Sequence, residues 1–427
     1  MANFAFIGVG SAVFGARTIG DLLFFKEDFA GSTLSLVDTD EKRLGIMKKL
    51  SEIMNEQAGS PFRIVANTDR REVLRGADFV ITSPAIRREE LWKQDWDIIR
   101  KLGIKQTYGE NGGPGAVALT LRNIPMLLSI FRDVEELAPD AWVINYTNPE
   151  ARVCIALDRY TDLKFVGLCH QIGEGYRLVS EVLGIAIEDL DIKAGGVNHF
   201  TWMYAIHQKS TGSDLYPALR NAAEQGKLDH EPLTLRMLRT FGLCPTPRDH
   251  HLAEMLSFAW ENQGLKGRDF AAWDKRKKEA MDWANGVVAG SRSVAEVIKG
   301  ESGERVAHVA RSIMKNANAY EISVDLRNDG AIPNLPADSI VEVPAVISAT
   351  GVAPLRMPPL PEGIAALVRQ QIAIQELSVA AAVTGDRSLA LQAILLDPCV
   401  DSYAAADEAL DQLMEANRDT FPAGLYK

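Results

Sequence analysis

A chain of 427 residues is too long for one ordinary core and about right for two or three domains. Hydrophobic residues make up 47% and charged residues 24%, a normal globular balance, and the net charge of −11 offers no basic face to a nucleic acid. No run of membrane-spanning length is free of charge, the start "MANFAFIGVG" lacks a basic leader, and the scattered Cys154, Cys169, Cys244 and Cys399 make no disulfide framework, so no membrane partner and a cytoplasmic location are expected.

From the N-terminus, "NFAFIGVG" is a short apolar run closed by glycines, and a helix pattern follows over about 14–25. "TLSLVD" is a second strand ending in Asp38, followed by the helical "EKRLGIMKKLSEIM". "FRIVAN", "ADFVITSP", "AWVINYTNP" and "KFVGLCH" continue the series, with helical stretches between most of them. Continuous apolar strands alternating with helices imply a parallel sheet covered on both faces.

The first turn carries Gly8 and Gly10, while Val13 stands where a third glycine would complete G-x-G-x-x-G. Alone, such a turn is only a tight passage from strand to helix. Here it opens a helix whose N-terminus can take a pyrophosphate, and an Asp closes the next strand. A carboxylate there takes ribose hydroxyls and repels a 2′-phosphate, so NAD is expected rather than NADP. The interval to Asp38 exceeds the usual ~20 residues, as a longer first helix requires.

Ligands of open α/β sheets sit beyond the carboxyl ends of the strands, where Asn148, Cys169 and His199 fall. Singly, Cys169 reads as a small buried hydrophobe and His199 as a hydrogen-bonded turn residue. Together a thiolate and an imidazole suit a divalent transition metal, with positions left open for substrate oxygens. "YGENGGPGA", residues 108–116, is either a flexible loop with a solvated Glu110 or a close backbone approach to a ligand.

Beyond residue 190 the pattern changes. "DIKAGGVNHFTWMYAI" reads as strand, bend, strand, and helices are expected around 213–228, 233–240 and 250–263. A helix-rich region at 288–316 precedes strand-like alternation broken by Gly and Pro, and residues 361–420 are helical, suited to packing and to a subunit contact. "PTPRDHHLAEML", residues 245–256, places Asp249, His250, His251 and Glu254 at a helix start, where Asp249 is either an N-cap or a base in a cleft. The expected architecture is α/β: a Rossmann-type doubly wound domain over 1–190 and a helix-rich α+β domain over 191–427, as in lactate and malate dehydrogenases, sharing one cleft.

Taken in this order, the Gly8/Gly10 turn, "GENGGPG" (109–115), "NYTNPE" (145–150), "GLCH" (167–170), "GVNHFTW" (196–202) and "NDGAIPNLPADSIVEVP" (328–344) resemble glycoside hydrolase family 4, the NAD- and metal-dependent glycosidases. The resemblance spans nearly the whole chain. It implies hydrolysis outside the two-carboxylate scheme: NAD takes hydride from C3 of the sugar, a base takes the proton at C2, the glycosidic bond breaks by elimination, water adds and the hydride returns. It also implies that Cys169 and His199 bind Mn²⁺, that Asn148 and Asn198 hold the sugar, and that Gly8, Gly10, Ser11, Asp38 and Ser83 hold NAD. Glu110 would bind or relay protons near the metal, His170 would protonate the leaving oxygen and Asp249 would be the base at C2. Members acting on 6-phosphosugars carry Asn or Asp after the metal Cys; His170 resembles the branch acting on α-glucosides, α-galactosides and α-uronides, and "RREELWKQDW" (87–96) resembles its uronidases. The expected partner is a small non-phosphorylated glycoside, bound by a homodimer or homotetramer. The alternatives are an NAD-dependent 2-hydroxy-acid dehydrogenase, in which the Cys169/His199 pair has no role, and a catalytically silent NAD sensor.

Overall fold

The computed structural model describes residues 1–10, 14–265 and 267–427. Six strands of the first half, β1 (Asn3–Ile7), β2 (Ser32–Val37), β3 (Phe62–Asn67), β4 (Phe79–Thr82), β5 (Trp142–Asn145) and β6 (Lys164–Gly167), pair in parallel in the order β3-β2-β1-β4-β5-β6. This is the doubly wound dinucleotide-binding order, as expected from the strand–helix alternation. Its central strands are apolar throughout because helices cover both faces. Phe4, for example, is buried on β1, stacks on Phe79 at 5.2 Å and meets Phe29 edge-on at 5.3 Å. The helix Gly113–Leu137 is the one described helix long and apolar enough to cross a membrane, and 83% of its apolar stretch is buried within the fold. A helix apolar on all sides is the mark of a core position here.

The second half extends the same sheet. β10 (Ala319–Arg327) joins β6 antiparallel through Asp325 opposite Gly167, then β11 (Ile340–Ser348), β7 (Leu190–Val197), β8 (Phe200–Gln208) and the short β9 (Cys244–Pro245) follow, with β12 (Gly351–Pro354) on β11. Among the described residues twelve strands therefore form one mixed sheet, in which β6, before Cys169, is the last parallel strand and β7, before His199, lies beyond β10 and β11 in the antiparallel part.

Two helical expectations differ from the structure. Residues 250–263 are not one helix: Asp249–Leu252 passes into a 3-10 turn, Ala253–Met255, and a separate turn of helix spans Trp260–Gln263. Consecutive burial of Leu252, Ala253, Glu254, Met255 and Leu256 is incompatible with a helix exposed on one side. The 19-residue helix Phe270–Val288, capped by Asp269 accepting from Ala272 N, was not expected from the sequence. Only Ala284 and Val287 on it are buried, so its apolar stripe is too thin to show. It packs on the helix Glu41–Gln57 and walls the cleft with Phe270, Trp273 and Met281.

Candidate active site

A cleft of about 1800 Å³ runs along the carboxyl ends of the parallel strands. At one end lie Gly8, Gly10, Asp38 and Ser83, all lining it. Gly8 has φ +87°, and a Cβ there would stand 2.5 Å from Pro84 N. A Cβ on Gly10 would stand 2.4 Å from Oδ2 of Asp38, which accepts from Gly10 N at 2.8 Å. Both glycines are therefore demanded by close packing of the first turn against its neighbours, the cradle a dinucleotide needs. Ser11 lies outside the described residues.

At the other end the two strand tips meet. Asn198 and His199 make the two-residue turn between β7 and β8, closed by the pair Val197–Phe200, with His199 at φ +62°. His199 is buried, and its Nδ1 lies 2.9 Å from Asn111 Nδ2 in the glycine loop. Cys169, two residues past β6, and His170 line the same cleft. Behind them stands a buried carboxyl cluster. Asn198 Nδ2 donates to Glu342 at 3.1 Å and reaches Asp325 at 3.5 Å, while Cys154 Sγ donates to Glu150 at 2.9 Å. Burial pushes Glu150 and Glu342 up to about 7 and Asp325 well above the usual carboxylate range, and desolvation followed by Glu342 pushes up the Cys169 thiol. Gly167 is glycine because a Cβ would stand 1.6 Å from Glu150 Oε1.

The structure brings His251 and Glu254 to His199. The rings of His199 and His251 are 4.4 Å apart, and donor atoms of His199, His251 and Glu254 lie within 4.8 Å of one another, a spacing that fits one divalent ion. Burial, followed by neighbouring charge, holds both imidazoles far below 6.5, the neutral form a metal requires. Glu254 Oε1 is 2.9 Å from His251 Nδ1, and its Oε2 accepts from the backbone N of Glu110 at 2.6 Å, Asn111 at 2.7 Å and Gly112 at 3.3 Å. One carboxylate thus orients a histidine and gathers the glycine loop, in the manner of a carboxylate–histidine pair behind a metal. Gly112 must be glycine because a Cβ would stand 2.1 Å from Glu254 O. The sequence signal was "RDHHLAE", a cluster whose partners were not visible.

Not every expected residue faces the cleft. Asp249 is buried, and its carboxylate accepts from Leu233 N at 2.7 Å, Thr234 N at 2.8 Å, Thr234 Oγ1 at 2.7 Å and Gln263 Nε2 at 3.1 Å. It therefore caps the neighbouring helix Pro232–Phe241, neither its own helix nor a substrate. The expectation of a C2 base at Asp249 is corrected, because four donors already occupy the carboxylate. Asn198 is likewise turned to the carboxyl cluster behind the cleft, which corrects its expected contact with sugar. Asn148 and Glu110 do line the cleft, with Asn148 Nδ2 donating to Glu110 Oε1 at 3.3 Å and Arg88 paired to the same oxygen.

Residues 3–185 match the Family 4 glycosyl hydrolase profile, and residues 194–400 match the Family 4 glycosyl hydrolase C-terminal domain. The alpha-glucosidase of Erwinia rhapontici is 34% identical to this chain over 96% of each protein. The alpha-galactosidase of Bacillus subtilis (strain 168) is 28% identical over 99% of each. Among solved structures, a 6-phospho-alpha-glucosidase from gut microorganisms, in complex with NAD and Mn²⁺, superposes with a TM-score of 0.86 over 99% of both chains at 23% identity. With both family profiles matched and a relative this similar along nearly its full length, the chain belongs to the family 4 glycosyl hydrolases.

Proposed function

We propose that the protein hydrolyses a non-phosphorylated α-glucoside, α-galactoside or α-uronide with NAD and Mn²⁺ as resident cofactors, in the cytoplasm and as a homodimer or homotetramer. The observation that carries this reading is the continuity of one cleft from the Gly8/Gly10 turn to Cys169, His199 and His251, the two histidines being grouped with Glu254 at metal-binding spacing. Gly8, Gly10, Asp38 and Ser83 would hold NAD. Cys169, His199 and His251 would hold the metal, with Glu254 orienting His251. When bound, NAD would supply reversible hydride transfer at the sugar and the metal would supply Lewis acidity.

The chain's own groups do the rest. Asn148 donates to sugar hydroxyls, and Glu110, fixed by Arg88 and Asn148, supports that contact. His170 holds the proton for the leaving oxygen, and its position after Cys169 supports the non-phosphorylated reading. With Asp249 turned away and Glu254 engaged by His251 and the glycine loop, the protonatable groups left beside His251 are Tyr108 and His250, at ring distances of 5.1 and 4.3 Å, and one of them takes the C2 proton. Exposed Leu396 and Tyr403 in the C-terminal helical region support a subunit contact there. The division at 190/191 remains our proposed domain boundary, with the metal and substrate side chains drawn from both halves.

Nitrophenyl α-glycosides supplied with NAD and Mn²⁺ test the reading. Turnover without NADH accumulation, with deuterium entering C2 of the product in D₂O, is expected. One NADH per product, or full C2 protium in the product, would overturn the elimination.

A further inference from the structure

Arg268 stands in the cleft wall between three aromatic rings. Its Cζ lies 4.1 Å from the centroid of Trp273, 4.6 Å from Trp92 and 5.5 Å from Tyr108, and its side chain is 9% exposed. The rings are themselves tied down: Trp273 Nε1 donates to Glu89 Oε1 at 2.9 Å, and Trp92 Nε1 to the Tyr108 carbonyl at 3.1 Å. Yet among the described residues the guanidinium donates no hydrogen bond. Its nearest carboxylate oxygen, Glu110 Oε2, is 3.9 Å away, beyond hydrogen-bond reach.

A guanidinium carries five N–H donors in one plane, and a buried donor without an acceptor is costly. Here the donors border a cleft lined by Arg268 itself. The carboxylates around it are engaged elsewhere: Glu110, the one paired with Arg268 among the described residues, also holds Arg88 and Asn148, and Glu89 is taken by Lys277 at 2.8 Å. The guanidinium lies one ring from the metal-site histidines, since Tyr108 is 5.1 Å from His251.

We infer that Arg268 anchors an anionic group of the substrate, and that this group is a sugar carboxylate, so that the enzyme acts on uronic acid glycosides. The inference rests on the glycosidase reading for its reaction but not for its ligand. A planar carboxylate matches the flat fork of the guanidinium, which can take both oxygens side by side. A neutral sugar would leave the guanidinium unpaired in the filled site. A sugar phosphate shares the anionic chemistry, but it is tetrahedral and brings nearly two charges to a wall that already carries Glu89, Glu110 and Asp274.

The test is calorimetric titration of the protein, with NAD and Mn²⁺ present, using glucuronate and galacturonate, glucose and galactose, and the two 6-phosphates. Binding of a uronate is expected to exceed that of its neutral sugar by about 10- to 100-fold for each charge-assisted hydrogen bond. R268Q should shrink that ratio by the same factor, with R268K between the two. Turnover of nitrophenyl uronides against neutral glycosides should follow the same ranking. Tighter binding of the neutral sugar or of the 6-phosphate overturns the inference, as does an unchanged ratio in R268Q. The wild-type ranking decides even where R268Q does not fold. Uronate binding without hydrolysis of any glycoside upholds the anchor and overturns the glycosidase; hydrolysis of neutral glycosides with uronates rejected does the reverse.

Discussion

Asp249→Asn separates a capping carboxylate from a catalytic one. The Asp249 carboxylate accepts from Thr234 N and Thr234 Oγ1 on one oxygen, and from Leu233 N and Gln263 Nε2 on the other. Asn keeps the shape but has one accepting oxygen. Whichever way the amide sits, two donors face an NH₂ group, and each unmet buried donor costs about 1–3 kcal/mol. Loss of the negative charge at the start of the helix Pro232–Phe241 adds about 0.3–1 kcal/mol. Roughly 2–7 kcal/mol is therefore expected. For a chain of this length, with an unfolding entropy of about 2 cal/mol/K per residue, that lowers Tm by about 2–8 °C. Native-state hydrogen exchange should show faster exchange at the amides of Leu233 and Thr234, and activity should fall no further than displacement of the neighbouring His251 explains. Wild-type melting and amide protection, combined with a loss of turnover of about 10²-fold or more as for a missing general base, would refute the capping assignment.

Glu304 tests burial directly. Desolvation, with Asp21 adding and Arg17 opposing, pushes it up to about 7 from 4.5, so its contribution is complete below pH 4.5 and is lost as pH rises through 7. Glu304→Gln should therefore gain on the wild type between pH 5 and 8, by roughly 3 kcal/mol at the upper end; a Tm difference independent of pH contradicts this. Glu254→Gln should weaken Mn²⁺ binding about 10- to 100-fold, read by electron paramagnetic resonance of the free ion, and unchanged affinity removes Glu254 from the metal site. Gly112→Ala meets backbone at 2.1 Å and should abolish the folded loop, whereas Gly45→Ala, with nothing within 4 Å in the helix Glu41–Gln57, should stabilise by about 1 kcal/mol. Thermal melts of the two variants moving in the same direction would sink the close-approach argument.

The sequence by itself determined the parallel half-sheet, the positions of its strand ends and the glycine loop. These are local properties: an apolar run of four to six residues closed by glycine declares a buried strand wherever the rest of the chain goes. It also showed that Cys169 and His199 end strands, though not that these ends adjoin. Only the tertiary structure decided that β10, β11, β7 and β8 continue the first sheet, because pairing of edges separated by more than 150 residues leaves no local pattern. Only it turned Asp249 toward Leu233 and Thr234, since a carboxylate pairs with whichever donors the fold presents, and a helix N-terminus 15 residues away presented them first. The helix Phe270–Val288 was hidden for the complementary reason: it borders the cleft and fully buries only Ala284 and Val287, so the apolar stripe that reveals a helix in sequence is thin. Arg268 was hidden with it, because what marks that side chain is a guanidinium that donates no hydrogen bond among the described residues inside a ring of aromatics, and a ring assembled from three separate segments exists only once the chain has folded.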